Sequence, residues 1–105
     1  KWGDRQIISE SWITESLSPH VETHLDFMSV SGENVFYGYQ WWTGTIEIKG
    51  RKLQWHAAIG NGGQRIFVVP ALDLTCVITA GDYGDIDIQK KVRQLFLGIL
   101  TTIKD

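Results

Sequence analysis

The chain has 105 residues, a formal net charge of −2 at pH 7, and a composition that is 43% hydrophobic and 21% charged. These proportions, together with five tryptophans, are typical of one soluble domain with a single core and exclude a disordered chain. Acidic and basic residues are interspersed, and no apolar run reaches the roughly 18 residues of a membrane-spanning helix, so we expect neither a nucleic-acid partner nor a membrane segment.

The first predicted element is a short helix over Glu10–Leu17. Ser9 suits its N-cap position, because a serine hydroxyl accepts a hydrogen bond from a free N–H of the first turn. Ile8 precedes this cap and Ile13 follows it, at the spacing of a hydrophobic staple. Pro19 then ends the helix.

The segment over residues 20–34 is polar and aperiodic, which predicts a long surface loop. His20 and His24 lie four residues apart with Glu22 between them, and on a helix they would form one face of metal ligands. Pro19 and the loop composition argue against a helix, and no third ligand is near in sequence. We therefore expect a solvated loop and no metal.

An aromatic-rich strand is predicted over residues 36–43. Two further strands, over residues 45–48 and 52–56, flank a hairpin turn at which Gly50 supplies the positive φ of a tight reversal. We expect this ribbon to lie near a sheet edge.

The next two strands are predicted over residues 64–69 and 74–79. Both are nearly continuous in apolar residues, which is typical of strands covered on both faces. Cys76 is the only cysteine, so no internal disulfide is possible, and we interpret it as a small apolar residue of the second strand.

The last element is a helix over residues 86–103. Apolar residues recur along it at spacings of three and four, namely Ile88, Val92, Leu95, Phe96, Ile99 and Ile103. The class is therefore α+β, with about five antiparallel strands between a short N-terminal helix and a C-terminal helix. One sheet face is left to the short first helix, so we expect polypeptide outside these 105 residues to complete it. In the isolated chain we expect self-association through that uncovered face.

A glycine-rich bend over residues 60–63 precedes the first of the two apolar strands. Glycines in such a bend allow a ligand to approach the backbone closely, which favours the wall of a binding site. A simple bulge between strands is the structural alternative.

Several segments together resemble the C-terminal portion of serine hydrolases related to class C β-lactamases, penicillin-binding proteins and their esterase relatives. They are Trp2-Gly3, RQIISESWI at residues 5–13, Ser18-Pro19, YGYQWW at residues 37–42, GNGGQ at residues 60–64 and FVVPALDL at residues 67–74. The resemblance spans nearly the whole chain.

The resemblance implies an activated serine that attacks a carbonyl and forms an acyl-enzyme, with a small ester or amide as substrate and no cofactor. This chemistry uses a Ser-x-x-Lys motif and a Tyr-x-Asn motif. Neither motif occurs in this chain, and in the family both precede the region seen here. We therefore expect the C-terminal third of a longer enzyme, inactive in isolation.

The family's third motif, Lys or His followed by Ser or Thr and Gly, lies on a strand beside the active site. Its best match here is Ala58-Ile59-Gly60, after which the N–H of Asn61 would face a developing oxyanion. Gly62 and Gln64 complete the expected substrate-binding set, and His56 is the alternative if the register differs by two. The absence of Lys and Thr favours an ester, amide or peptide over a β-lactam carboxylate, or an inactive relative.

A second class of function stays open from the residues alone. The chain is long enough for a small self-contained α+β module whose aromatic strand, with Trp41 or Trp42 at its surface, binds a carbohydrate or a peptide. A degenerate relative with a structural role is a third possibility.

Overall fold

The computed structural model describes residues 1–23 and 35–104. In chain order the elements are α1 (Glu10–Leu17), β1 (Val21–Thr23), β2 (Val35–Tyr37), β3 (Trp42–Ile48), β4 (Arg51–Ile59), β5 (Arg65–Val69), a 3-10 turn (Pro70–Leu72), β6 (Leu74–Ile78) and α2 (Asp87–Thr102). The strands form one antiparallel sheet in the order β1-β2-β3-β4-β5-β6. The α+β class is confirmed, with six strands where about five were predicted.

The additional strand is β1, which lies in the segment predicted as a loop. Val21 pairs with Tyr37, and the Thr23 hydroxyl donates to the Val35 carbonyl over 2.9 Å. The loop prediction is wrong at these residues, because pairing with β2 satisfies a backbone that has no hydrophobic pattern of its own. Its remainder, residues 24–34, lies outside the described part of the chain.

The single aromatic strand predicted over residues 36–43 is also wrong. The chain leaves β2 after Tyr37, turns with a Gly38 N–H donating to Trp41 over 2.7 Å, and enters β3 at Trp42. A Cβ at Gly38 would lie 2.3 Å from the Ser16 carbonyl oxygen at the end of α1. Glycine is therefore required at this position, because α1 approaches the backbone more closely than a side chain allows.

The predicted hairpin between β3 and β4 is confirmed. Lys49 and Gly50 both have positive φ, 51° and 76°, as a two-residue type I′ turn requires. Pairing continues from Ile48 and Arg51 to Trp42 and Ala57. The predicted position near a sheet edge is wrong, because β3 and β4 are the two central strands of the sheet.

The core lies between the sheet and α2, on what we call the helix face. Phe96 of α2 stacks on Phe67 of β5 with ring centroids 3.8 Å apart, and Trp55 and Leu100 are fully buried beside them. The helix predicted over residues 86–103 is confirmed.

The prediction of the apolar face of α2 is wrong at one residue. Leu95 is 53% exposed, whereas Leu100, absent from the predicted set, is 1% exposed. Leu95 lies about 100° around the helix axis from Phe96, while Val92 and Leu100 lie one turn before and after Phe96.

The opposite side of the sheet, the outer face, is open at β5 and β6. Ala58, Ile66 and Val77 are cross-strand neighbours there, and Ile66 and Val77 are 40% and 63% exposed. Within the described residues this face is uncovered at β5 and β6, as expected from the sequence; that further polypeptide covers it stays a prediction. Neither described helix is long and apolar enough to cross a membrane.

Candidate functional site: a cleft beside a glycine bend

The glycine bend, residues 60–63, connects β4 to β5. The Gly60 N–H donates to the Gln64 carbonyl over 3.0 Å, which closes the bend. Gly62 and Gly63 have φ values of 93° and 95°, which residues with a Cβ rarely adopt. A Cβ on Gly63 would also lie 2.6 Å from the Ile88 side chain of α2. The bend thus requires glycine for both backbone conformation and space.

A following loop packs against this bend. We call residues 79–86, which connect β6 to α2, the Tyr83 loop. The Asp82 N–H donates to the Gly62 carbonyl over 3.2 Å, and the Gly84 N–H donates to the Asn61 Oδ1 over 3.0 Å. A Cβ at Gly62 would lie 3.0 Å from the Tyr83 ring, so the loop lies directly on the bend.

Gln64 makes a third connection between the bend and the Tyr83 loop. Its amide nitrogen donates to the Ala80 carbonyl over 3.1 Å and to the Tyr83 hydroxyl over 3.2 Å. Both donor positions of the amide are therefore used in positioning the loop. The free side-chain acceptor is the Gln64 Oε1, near Gly60.

Arg65 supports the bend from the helix face, where it is 5% exposed. Its Nη1 donates to the carbonyls of Gln64 and Gly60 over 2.8 and 3.4 Å, and its Nη2 donates to the Gln89 side chain. Among the described residues no carboxylate forms an ion pair with it. Burial lowers the pKa of Arg65 to about 10. The guanidinium therefore ties the bend to the first turn of α2 through neutral acceptors.

An open cleft of about 600 Å³ lies beside the bend. It is lined by residues 58–60, 64–66 and 77–80, with Tyr83 at one side. Its wall is mainly aliphatic, and the Gln64 amide and the Tyr83 hydroxyl add polar groups. Of the lining residues only Arg65 carries a formal charge, and its guanidinium bonds to the carbonyls described above.

The structure brings four of the predicted site residues to this cleft. Ala58, Ile59, Gly60 and Gln64 line it. The two others in the bend, Asn61 and Gly62, face the Tyr83 loop through the contacts given above. The Asn61 N–H is not among the donors that hold the described bend together.

His56, the alternative site residue, is not among the residues that line the cleft. It is 5% exposed and lies between Thr43 and Val68 in the sheet. Within the described part of the chain its Nδ1 has no hydrogen-bond partner. Burial lowers the pKa of His56, so the imidazole is held in its neutral form.

The sequence did not single out the Tyr83 loop. Tyr83 is 70% exposed, yet it contacts the bend and borders the cleft. The available signal was an aromatic residue placed between Gly81 and Gly84, where no hydrophobic pattern requires one. An exposed aromatic side chain in a glycine-containing loop is a reasonable indicator of a site border.

A separate aromatic surface lies at the end of α1. The Tyr39 ring stacks on His20 with centroids 4.4 Å apart and lies 5.6 Å from the Trp12 ring. The Tyr39 hydroxyl donates to Glu15 over 3.0 Å, and this carboxylate raises the pKa of Tyr39. We call Trp12, Glu15, His20 and Tyr39 the aromatic surface.

The metal ligands considered in the sequence do not converge in the described residues. His20 precedes a strand instead of a helix, and its Nε2 lies 2.7 Å from the Glu15 carbonyl oxygen. His24 lies outside the described residues. In the described ranges no group of three potential ligands is placed to hold a metal ion.

Comparison with known proteins finds no matching family model, no matching curated protein and no matching solved structure.

Proposed function

We propose that this chain forms one wall of the active site of a serine hydrolase, similar to class C β-lactamases, penicillin-binding proteins and related esterases. In this proposal an acyl-enzyme forms on a serine outside these 105 residues, and the substrate is an uncharged ester or amide. The supporting observation is the rigid glycine bend beside an open, mainly aliphatic cleft.

Stabilisation of an oxyanion requires hydrogen-bond donors that are held in place. Donors are most effective when they are already oriented, because they then need no reorganisation as charge develops. Arg65, Gln64 and the Tyr83 loop each hold the bend by hydrogen bonds that leave the Asn61 N–H unused. We propose the Asn61 N–H as the oxyanion donor because Asn61 follows Gly60, which lines the cleft, although the Asn61 side chain bonds to the Tyr83 loop.

The chemistry of the cleft favours an uncharged substrate. A substrate carboxylate needs a cation or several free donors to replace its hydration. The guanidinium of Arg65 is 5% exposed and bonded to main-chain carbonyls on the helix face. Side chains such as Ile66 and Val77 instead offer apolar surface to an acyl chain.

The residues that line the described cleft include no serine. Their two hydroxyl groups belong to Thr79 and Tyr83, and of these only Thr79 is an aliphatic alcohol. His56 is buried and is not among the residues that line the cleft. The proposal therefore requires that both nucleophile and base come from additional polypeptide.

Binding to the chain itself tests the cleft. We expect a neutral N-acyl amide, added to ¹⁵N-labelled protein, to shift the amide resonances of Ala58, Gly60 and Asn61. N-acylglycine, which carries a carboxylate on the same acyl chain, should cause smaller shifts at equal concentration. Shifts confined to the aromatic surface, or equal shifts with both ligands, would contradict the proposed site.

A matched pair of variants tests the oxyanion donor in the longer enzyme. Asn61→Pro removes the N–H and the side chain, whereas Asn61→Ala removes the side chain alone. We expect Asn61→Pro to lower kcat by about 10² to 10³ relative to Asn61→Ala. Labelling by a fluorophosphonate probe should persist in Asn61→Ala. Equal kcat values in the two variants would exclude the Asn61 N–H from this role.

The aromatic surface favours a second candidate, a module that binds a carbohydrate or a peptide. Trp12 and Tyr39 are 54% and 44% exposed, and one hydrogen bond from the Tyr39 hydroxyl to Glu15 holds the Tyr39 ring in place. Preordered aromatic rings bind partners with little loss of conformational entropy. If the chain is such a module, an oligosaccharide or a peptide should cause a saturable change in tryptophan fluorescence. This change should be lost in Trp12→Ala. The neutral N-acyl amide that binds the cleft should not affect the aromatic surface.

A further inference from the structure

The side-chain amide of Gln64 is held in one orientation beside the cleft. Its nitrogen donates to the Ala80 carbonyl over 3.1 Å and to the Tyr83 hydroxyl over 3.2 Å. The Ala80 carbonyl can only accept a hydrogen bond, so the amide nitrogen, and not the amide oxygen, faces Ala80. These hydrogen bonds therefore determine where the Gln64 Oε1 lies.

The Gln64 Oε1 lies next to Gly60, where no side chain covers it. A Cβ on Gly60 would lie 3.3 Å from this oxygen, and Gly60 and Gln64 both line the cleft. The oxygen accepts none of the hydrogen bonds found for the Gln64 side chain in the described part of the chain. The buried side-chain polar atoms without a partner in these ranges are Trp55 Nε1 and His56 Nδ1, so the Gln64 Oε1 is not sealed from solvent.

The aliphatic surroundings make this oriented acceptor selective. Ile66 and Val77 belong to the cleft wall, so a ligand that fills the cleft removes water from the Gln64 Oε1. A ligand N–H replaces the lost hydrogen bond to water, whereas a ligand with no N–H leaves the oxygen unsatisfied. Binding sites of this kind discriminate against analogues that lack the donor.

We infer that Gln64 determines the substrate class of the cleft, because its Oε1 accepts the N–H of a secondary amide, which is thereby preferred to an ester or a tertiary amide. Ala80 and Tyr83 are positioning residues, since they act through the Gln64 amide. This inference rests on the proposed function, which leaves the choice between ester and amide open.

Three ligands with the same acyl chain test this preference. N-methylpentanamide carries an N–H, whereas N,N-dimethylpentanamide and methyl pentanoate do not, and all of them keep the carbonyl group. Titration into ¹⁵N-labelled protein, followed at the backbone amide resonances of Ala58 and Gly60, gives a dissociation constant for each ligand. We expect N-methylpentanamide to bind about threefold to tenfold more tightly than the other two, as one additional hydrogen bond allows.

Gln64→Leu and Tyr83→Phe form a matched pair of variants. Gln64→Leu removes the Oε1, and we expect the preference for N-methylpentanamide to be lost. Tyr83→Phe removes one hydrogen bond of the amide nitrogen but keeps the Oε1 and the bond to Ala80, so the preference should persist. Circular dichroism checks that both variants fold. A preference that persists in Gln64→Leu would overturn the inference, as would one that is lost only in Tyr83→Phe.

The ¹³Cδ resonance of Gln64 gives a second readout that needs no variant. A side-chain carbonyl that accepts a hydrogen bond moves downfield, so we expect a downfield shift with N-methylpentanamide and not with N,N-dimethylpentanamide. If both amides shift the backbone resonances of the cleft equally and neither moves the ¹³Cδ resonance, the inference is overturned while the proposed site stands. If none of the ligands shifts the cleft resonances, the proposed function fails together with the inference.

Discussion

Gly63 is the most constrained residue of the candidate site. Its positive φ excludes most side chains, and the space that a Cβ would occupy is already filled by Ile88. The bend can therefore lie this close to α2 only with glycine at this position, and the close approach keeps the cleft wall in place.

Two glycine variants separate backbone strain from steric overlap. Gly50→Ala introduces a Cβ at φ 76° with nothing within 4 Å, so we expect a loss of about 1 kcal/mol of unfolding free energy from strain alone. Gly63→Ala adds overlap with Ile88 and should cost about 2–4 kcal/mol. Urea denaturation followed by fluorescence measures both, and equal losses would show that the Ile88 contact does not matter.

His56 gives the fold a pH dependence of definite sign. Burial lowers its pKa in the folded chain below the ordinary value of 6.5, so the unfolded chain binds more protons as the pH falls below that value. Its contribution to stability is therefore present above about pH 6.5 and is lost as the pH falls through the folded pKa.

Substitution of His56 tests this dependence. The unfolding free energy of the natural chain should decrease as the pH falls below about 6.5, and His56→Gln should reduce that decrease. His20→Gln, at an exposed histidine, should leave most of it unchanged. A slope that follows His20 instead of His56 would contradict the buried neutral imidazole.

For single residues, the sequence predicted the glycine bend but not the hydrogen bonds that hold the bend in place. Repeated glycines between two apolar strands are a local signal. The contacts of Arg65 with Gly60, and of Gln64 with Tyr83, depend on which residues the fold brings together. No spacing rule along the chain contains that information.

For α2, the sequence predicted the residue range well, but it predicted less well which residues of the helix face the sheet. Its apolar spacing correctly predicts a helix that packs on the sheet. The buried arc, however, is centred on Val92, Phe96 and Leu100, because Phe96 stacks on Phe67. That single contact turns Leu95 toward solvent.

Alanine substitutions distinguish the two leucines. Leu100→Ala should lower the unfolding free energy by about 2–5 kcal/mol, because it leaves a cavity against the sheet. Leu95→Ala should change it by less than about 0.5 kcal/mol. Both variants keep good helix formers at their positions, so helix propensity does not explain a difference. Thermal melts of the two variants provide the comparison, and a larger loss at Leu95 would reverse the described orientation.

Strand boundaries were predictable where the adjoining turn depends only on the residues of the turn itself. The hairpin at Lys49 and Gly50 depends on φ values that these two residues determine. The break after β2 depends instead on Gly38 meeting the end of α1, which is distant along the chain. β1 likewise exists only because β2 lies beside it.

For the molecule as a whole, the open outer face and the cleft are the two features on which the proposed function depends. The cleft wall is preformed, but its described lining residues include no serine beside a base. Polypeptide that covers the outer face at β5 and β6 would also lie next to this cleft. A single added layer would then complete both the fold and the proposed site.

The isolated chain is therefore expected to show no turnover of a chromogenic ester or of a chromogenic β-lactam. Absorbance assays at high protein concentration measure this, with a buffer blank for spontaneous hydrolysis. Turnover above the blank that is lost in Thr79→Val would show that the nucleophile lies within these residues, contrary to the proposal.

The amino-acid sequence by itself determined the α+β class, the extents of both helices, the hairpin turn at Lys49 and Gly50, and the position of the glycine bend. These features follow from caps, turn residues and periodicity within a few neighbouring positions. Only the tertiary structure decided which sheet face α2 covers, which residues line the cleft, and that the Tyr83 loop borders it. Those properties arise from contacts between residues far apart in sequence, whose geometry depends on how the whole sheet is assembled.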